Sequence, residues 1–383
     1  MPQTSDFLPE VCSGMRLVVY AGPTGGHIFP AQSFSEGFRK RFPDSKVNLV
    51  TCHRAKSLVE KMPQGIFGSV TYLPEFGFPG GFSWKTLKPF VLLPYLFLQA
   101  FFLLRRENPD LCVGFGSFVS YPGMMMAHWL KIPTLIHEQN KVPGKATHWL
   151  LPHMDVVAES FEGTRFLQKP KVLHTVGLPL RSFIVEAATK PREESTPRLF
   201  TLLVVGGSQG AQGLNVAVTE AIAALSDEER SQIAVIHITG KRDHDWVAER
   251  YAQLVLSNEV HSFYSGMGEL FQKTDLAITR AGANTLFELA LFGVPALVIP
   301  YPHAGGHQKY NAQGFEEKGG LRFHAEDLGA KDWLVEHLRR AIEDPGSLTG
   351  IAKVMRELAR PKATDELIEI ARKLIETHEN RTR

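Results

Sequence analysis

RLVVYAGPTGGHIFPAQSFSEGFRK, residues 16–40, decides the fold. A short apolar run enters a turn with three glycines, and the turn opens a segment of helical character. A strand apolar on both faces must be covered by helices on each side, so this order is the opening unit of a parallel sheet. The same order returns at residues 201–225, TLLVVGGSQGAQGLNVAVTEAIAAL. Further strands are expected at KVNLVTC (from Lys46), DLCVGF (from Asp110), PTLIHE (from Pro133) and MDVVAES (from Met154). In the second half they are LFTLLVVGG (from Leu199), QIAVIHITG (from Gln232), DLAITR (from Asp275) and PALVIPY (from Pro295). The polar, Pro-interrupted stretch EAATKPREESTPR, residues 186–198, reads as a linker. The expectation is an α/β protein of two doubly wound domains, residues 1–185 and 199–360. A closing helix at 361–383 is expected to pack back toward the first domain. In such folds ligands bind beyond the carboxyl ends of the strands, here expected in the interdomain cleft.

The chain has 383 residues, 44% of them apolar and 21% charged, enough for two cores and unlike a disordered or collagen-like polymer. Lys and Arg number 42 against 40 Asp and Glu, a balance of +2 that excludes a general nucleic-acid binder. Cys12, Cys52 and Cys112 form no CxxC and have no metal-ligand spacing, so free thiols in a reducing compartment are expected. The opening MPQTSDFLPEVCSG lacks the basic and apolar regions of a signal peptide.

Residues 76–104, FGFPGGFSWKTLKPFVLLPYLFLQAFFLL, are followed by Arg105 and Arg106. The uninterrupted apolar part is too short for an ordinary transmembrane helix, and Pro94 and Gln99 fall inside it. Two readings stand open: a buried core helix after a loop, or a membrane-surface patch flanked by Lys85, Lys88, Arg105 and Arg106.

Three glycine-rich turns follow strands: residues 22–27 (GPTGGH), 206–211 (GGSQGA) and 280–285 (RAGANT). None is a GxGxxG fingerprint or a Walker A loop. Glycines let a ligand approach the backbone, and the helix that follows presents unbonded N–H groups to an anion. Three such turns together point to a nucleotide or diphosphate. His27, between glycines and a helix start, is either structural or a general base. His137-Glu138-Gln139-Asn140 falls at the carboxyl edge of a strand, where it is either a capped turn or part of the site. Glu288, one turn beyond Asn284, suits a ribose diol if it is not merely a solvated face. Asp243-His244-Asp245 has the DxD spacing, but its context favours a helix cap over a metal. Gly305 and Gly306 break the helix that would set His303 and His307 on one face, which argues against zinc.

At this point the chain resembles the MurG family of peptidoglycan N-acetylglucosaminyltransferases, GT-B enzymes of glycosyltransferase family 28. The likeness rests on an ordered set spanning nearly the whole chain: GPTGGHIFPA, GFGSFVSYPG, IHEQNKVPG, VGLPLR, VVGGSQGAQGLN, TRAGANTLFELALFGVPALVIPYP and HQKYNA. At Pro23, Thr147, Leu178 and Gly306 the chain departs from the family's usual residues. The resemblance implies two Rossmann-like domains and inverting transfer of N-acetylglucosamine from UDP-N-acetylglucosamine to lipid I, giving lipid II. It implies no cofactor and no metal. It also implies a peripheral position at the cytoplasmic face of the membrane, with cell-wall synthesis and division proteins as partners.

Carried over position by position, the resemblance makes His27 the base and Glu138 its fallback. It puts Thr24, Gly25 and Gly26 near the donor sugar and the acceptor diphosphate, and Asn140, Gln308 and His307 on the sugar. Arg181 and Ser208 would meet the donor diphosphate, and the Tyr264 backbone the uracil edge. Ala283, Asn284, Thr285, Leu286, Phe287 and Glu288 would hold diphosphate and ribose, with Glu288 on the ribose hydroxyls. An acceptor whose polyprenyl tail stays in the bilayer favours the membrane-docking reading of residues 76–104. The alternatives are a GT-B transferase for another lipid acceptor such as diacylglycerol, a UDP-N-acetylglucosamine 2-epimerase, and a non-catalytic UDP-sugar-binding subunit.

Overall fold

The computed structural model describes residues 14–74, 88–192, 198–207, 210–303 and 306–382. These form two compact units, one from residues 1–139, 143–179 and 362–383, the other from 140–142 and 180–361.

The first unit is built on a parallel sheet of β1 (Arg16–Ala21), β2 (Lys46–Cys52), β3 (Ser69–Leu73), β4 (Leu111–Phe115), β5 (Thr134–Glu138), β6 (Val156–Glu159) and β7 (Leu173–Thr175). Their spatial order is β3-β2-β1-β4-β5-β6-β7. Leu17 lies opposite Val47 on one side and Leu111 on the other. Alternation along β1 feeds two cores. Leu17, Val19 and Ala21 pack with Phe34 and Phe38, whereas Val18 and Tyr20 pack with Leu96, Leu104 and Met124. The helix Ala363–Thr382 belongs to this unit: its Leu367, Ile368, Ala371 and Ile375 are buried in the first of these cores. It crosses the Gly25–Arg41 helix at Gly37, where a Cβ would come within 2.9 Å of both Ile368 Cδ1 and Thr364 Cγ2.

The second unit repeats the plan with β8 (Phe200–Val205), β9 (Ile233–Ile238), β10 (Ser257–His261), β11 (Leu276–Thr279), β12 (Ala296–Val298) and β13 (Arg322–Phe323). The order β10-β9-β8-β11-β12-β13 reverses direction between β8 and β11, and in the first sheet the reversal lies between β1 and β4. Glycine turns at the carboxyl ends of β1, β8 and β11 therefore stand at the switch points where open α/β sheets take ligands.

Each strand expected from an apolar run is present. Four more, β3, β7, β10 and β13, are the edges of the two sheets. β7 is exposed throughout and β10 largely so, and an edge strand that water reaches has no doubly apolar run to betray it. The second unit begins at Leu180, before the polar stretch, and Glu186–Thr189 close the helix Ser182–Thr189 instead of forming linker. Residues 193–197 lie outside the described residues.

Candidate active site

In the first unit the turn after β1 runs directly into the Gly25–Arg41 helix, so Gly25, Gly26 and His27 form its first turn. Thr24 is the N-cap residue, and its Oγ1 lies 2.9 Å from His27 Nδ1. The His27 ring is walled by backbone. A Cβ at Gly22 would meet Ser117 Cβ at 2.4 Å and His27 Nδ1 at 3.0 Å; one at Gly116 would meet His27 Cδ2 at 3.2 Å. Gly116 and Ser117 both hold positive φ, +76° and +71°, a costly conformation for the serine. Ser120 Oγ, fully buried, anchors that bend by donating to the Gly116 carbonyl at 2.6 Å.

The polar cluster at the end of β5 is buried. His137 Nε2 donates to the Gly177 carbonyl at 2.9 Å, and burial brings its pKa down to about 4, so the ring is neutral. Its Nδ1 then accepts from Gln139 Nε2 at 3.3 Å, and Gln139 Nε2 also donates to the His137 carbonyl at 3.0 Å. Glu138 closes β5 at 2% exposure.

In the second unit the turn after β11 leads into the helix Ala283–Phe292, with Gly282 as N-cap and no acidic residue in its first turn. The N–H groups of Ala283, Asn284 and Thr285 lie in the first turn, at the positive end of the helix dipole. Leu286 already donates its N–H to the Gly282 carbonyl at 3.1 Å. Glu288 is buried one turn on, and Arg181 Nη2 reaches its Oε1 at 2.9 Å. Burial raises the Glu288 pKa, and the Arg181 guanidinium works against that rise. Arg181 also lies over the Phe183 ring, 4.8 Å from its centroid.

The helix His307–Glu316 ties this half together. His307 Nδ1 donates to the Val142 carbonyl at 2.8 Å. Gln308 Oε1 accepts the N–H of Ala281 at 3.1 Å and of Tyr301 at 3.0 Å, so its Nε2 is the end that can serve a ligand. Asn140 Oδ1 accepts from Asn311 Nδ2 at 3.0 Å. Sequence reading passed over Asn311, although HQKYNA was in view, because a buried partner is invisible in a motif.

Leu286 is fully buried and Phe287 is 4% exposed, its ring edge-on to Phe315, so any contact these two make with a ligand would come from their backbone. Tyr264 follows β10, half-buried, its ring edge-on to His261 at 5.0 Å. Ser208 lies outside the described residues, while Gly207 and Gly210, on either side of residues 208–209, hold φ of +94° and +75°.

The DxD stretch has a different use from the cap expected of it. Asp243 takes the N-cap position of His244–Ala252 but makes no cap bond. Burial works against its charge, yet donors from Arg242, Trp246 and Asn215 outweigh it and hold the pKa below the usual range. Asn215 Nδ2 donates to Asp243 Oδ2 and to the Thr239 carbonyl, both at 2.9 Å, so its Oδ1 must accept from His237 Nε2, 3.1 Å away. His237 Nδ1 then accepts from Tyr251, and burial takes this ring's pKa down to about 3. Among the described residues no group of three or more His, Cys, Asp or Glu side chains could hold a metal.

The Lys88–Glu107 helix is buried along one side and exposed along another. Leu96, Ala100 and Leu104 point into the core, while Tyr95, Leu98 and Phe102 are 48%, 54% and 61% exposed. Ring contacts run from exposed Trp129 through Phe97 and Tyr121 to exposed Trp149. Residues 75–87, Lys85 among them, lie outside the described residues. No described helix is long and apolar enough to cross a membrane. Cys52 and Cys112 are buried free thiols.

Comparison with known proteins gives a consistent answer. Residues 17–158 match the glycosyltransferase family 28 N-terminal domain and residues 201–366 its C-terminal domain. The chain is 35% identical, over 95% of its length and 98% of the relative's, to the UDP-N-acetylglucosamine--N-acetylmuramyl-(pentapeptide) pyrophosphoryl-undecaprenol N-acetylglucosamine transferase of Desulfotalea psychrophila. The protein of the same name from Hahella chejuensis is 35% identical over 93% of this chain and 97% of its own. The crystal structure of Acinetobacter baumannii MurG superposes with a TM-score of 0.73 at 25% identity, covering 94% of this chain and 99% of that one. The two Rossmann-like units are those of the GT-B fold, and the chain belongs to glycosyltransferase family 28, among the MurG-type N-acetylglucosamine transferases.

Proposed function

We propose that this chain transfers N-acetylglucosamine from UDP-N-acetylglucosamine to the N-acetylmuramyl 4-hydroxyl of pyrophosphoryl-undecaprenol-linked MurNAc-pentapeptide, forming lipid II. The observation that carries this reading is the helix opening at Ala283. Its first-turn amides are set to receive a diphosphate, and a buried carboxylate, Glu288, lies one turn further on for a ribose.

Inversion at the sugar requires a base on the acceptor hydroxyl, a stabilised oxocarbenium-like sugar and support for departing UDP. His27 is the proposed base. In the tautomer whose Nδ1–H donates to Thr24 Oγ1, the lone pair that would take the proton sits on Nε2. Glu138, at 2% exposure, is the fallback and is better suited to support. Thr24, Gly25 and Gly26 would line the acceptor diphosphate and donor sugar. Amides of Ala283, Asn284 and Thr285, with Arg181 and Ser208, would hold the leaving diphosphate, positive potential that other transferases take from a metal. Asn140, His307 and the Nε2 of Gln308 would contact the sugar, and the Tyr264 backbone the uracil.

The acceptor's lipid tail requires a membrane-facing surface. Tyr95, Leu98 and Phe102, with Trp129 and Trp149, supply exposed aromatic and aliphatic area, and Arg105 and Arg106 supply charge for anionic headgroups. Peripheral attachment at the cytoplasmic face follows from this reading.

The test is transfer of radiolabelled N-acetylglucosamine from its UDP donor to a lipid I analogue with EDTA present. Labelled disaccharide-lipid is expected. Turnover on diacylglycerol alone, epimerisation of the donor without acceptor, or tight UDP binding with no turnover on any acceptor would each overturn the assignment.

A further inference from the structure

We propose that Asn311 is a positioning residue for the donor half of the site: one buried amide that sets the aim of the Ala283–Phe292 helix and of Asn140 together. The inference rests on the reading of that helix as the diphosphate-binding end.

Asn311 is fully buried in the second unit. Its Nδ2 donates to Asn140 Oδ1 at 3.0 Å and to the Ala281 carbonyl at 3.2 Å, and its Oδ1 accepts the Lys141 N–H at 2.8 Å. Both of its N–H groups and its oxygen are therefore used, on two stretches of chain far apart in sequence. Three residues earlier on the same helix face, Gln308 Oε1 accepts the Ala281 N–H at 3.1 Å. Ala281 thus has its N–H and its carbonyl both held from one helix. Gly282 follows it directly as N-cap, with φ −66° and ψ 130°, so the plane of the Ala281 peptide decides where the amides of Ala283, Asn284 and Thr285 point. The bond to Asn140 fixes which end of that amide faces Asn311. A fully buried site filled for packing alone would take an apolar side chain, which leaves no polar group to satisfy. Here the polarity is directed at the two segments expected to meet the ligand, and Asn311 itself lies behind both.

The test compares binding of UDP and of uridine to the full-length chain and to Asn311→Ala, by calorimetry, with melting temperatures recorded alongside. If the amides are aimed by Asn311, the variant loses about tenfold in UDP affinity, the scale of one or two misdirected hydrogen bonds, while uridine affinity stays within about twofold. In steady state the KM for UDP-N-acetylglucosamine rises by a similar factor and the KM for a lipid I analogue does not move. Should Asn311→Ala fail to fold, Asn311→Asp carries the same test. It keeps the volume and the acceptor for Lys141 but cannot donate to both Asn140 Oδ1 and the Ala281 carbonyl, and the same selective loss is expected. A variant that keeps the parent's preference for UDP over uridine, whatever its melting temperature, overturns the positioning role and leaves the diphosphate reading intact. A parent chain that binds uridine and UDP equally overturns the diphosphate reading itself.

Discussion

Arg181 Nη2 lies 2.9 Å from Glu288 Oε1, joining residues 107 positions apart whose side chains are 17% and 7% exposed. The resemblance assigns the first to the donor diphosphate and the second to its ribose, and here each holds the other. A buried pair of this kind contributes little net stability when intact, but removing one partner strands the other's charge.

Arg181→Ala should therefore cost more at high pH than at low. Burial holds the Glu288 pKa above its ordinary value, so this group's contribution to stability is present at low pH and is lost as pH rises through the folded-state pKa. Without Arg181 that pKa rises further. The variant's deficit in unfolding free energy should reach about 3 kcal/mol near pH 8 and shrink toward pH 5. Denaturant titrations at the two pH values check this; a deficit independent of pH would mean that Glu288 does not carry it. Adding Glu288→Gln to the variant should abolish the pH dependence.

His27→Ala should lower kcat by at least about a hundredfold with little change in the donor KM, the scale of a lost general base. Gly116→Ala should approach that effect from outside the ring. Its Cβ would crowd His27 Cδ2 at 3.2 Å, and alanine is strained at φ +76°. Steady-state kinetics on the two variants would show a raised donor KM with unchanged kcat if His27 only binds.

Tyr20→Phe should stabilise the first unit. The Tyr20 hydroxyl is buried without a hydrogen-bond partner among the described residues, and its ring lies where a Cβ on Gly123 would be 2.1 Å away. Deleting an unsatisfied buried hydroxyl while keeping the ring should gain about 1 kcal/mol, read as a higher denaturation midpoint at unchanged slope. A loss of stability would reveal a partner for the hydroxyl.

Replacing Phe102 and Trp129 together by alanine should weaken binding to anionic vesicles by at least tenfold, given the apolar area lost, and leave turnover of a short-chain soluble acceptor unchanged. Vesicle sedimentation separates the two effects. Unchanged sedimentation would move the membrane contact elsewhere on the chain.

The central strands were legible because burial on both faces leaves doubly apolar runs such as RLVVYA and TLLVV. The sheet edges were not, since β7 and β10 meet water and carry no such signature. Motifs singled out Arg181 and Glu288 as candidates but not their pairing: nothing in their spacing announces a contact that only the closed fold creates. Asp243 shows the same limit. Its neighbours in sequence suggest a cap, whereas its partner Asn215 comes from a helix 28 residues away.

The helix Ala363–Thr382 seated on Gly37 gives the order of synthesis a structural meaning. The first unit lacks Leu367, Ile368, Ala371 and Ile375 until residues 180–361 of the second unit have been made, so its core stays open on one side in the meantime. The second unit can close first. A chain interrupted anywhere before residue 363 would thus release a first unit with apolar residues bare, a species for chaperones and proteases to find, and the arrival of the helix Ala363–Thr382 is the event that seals it.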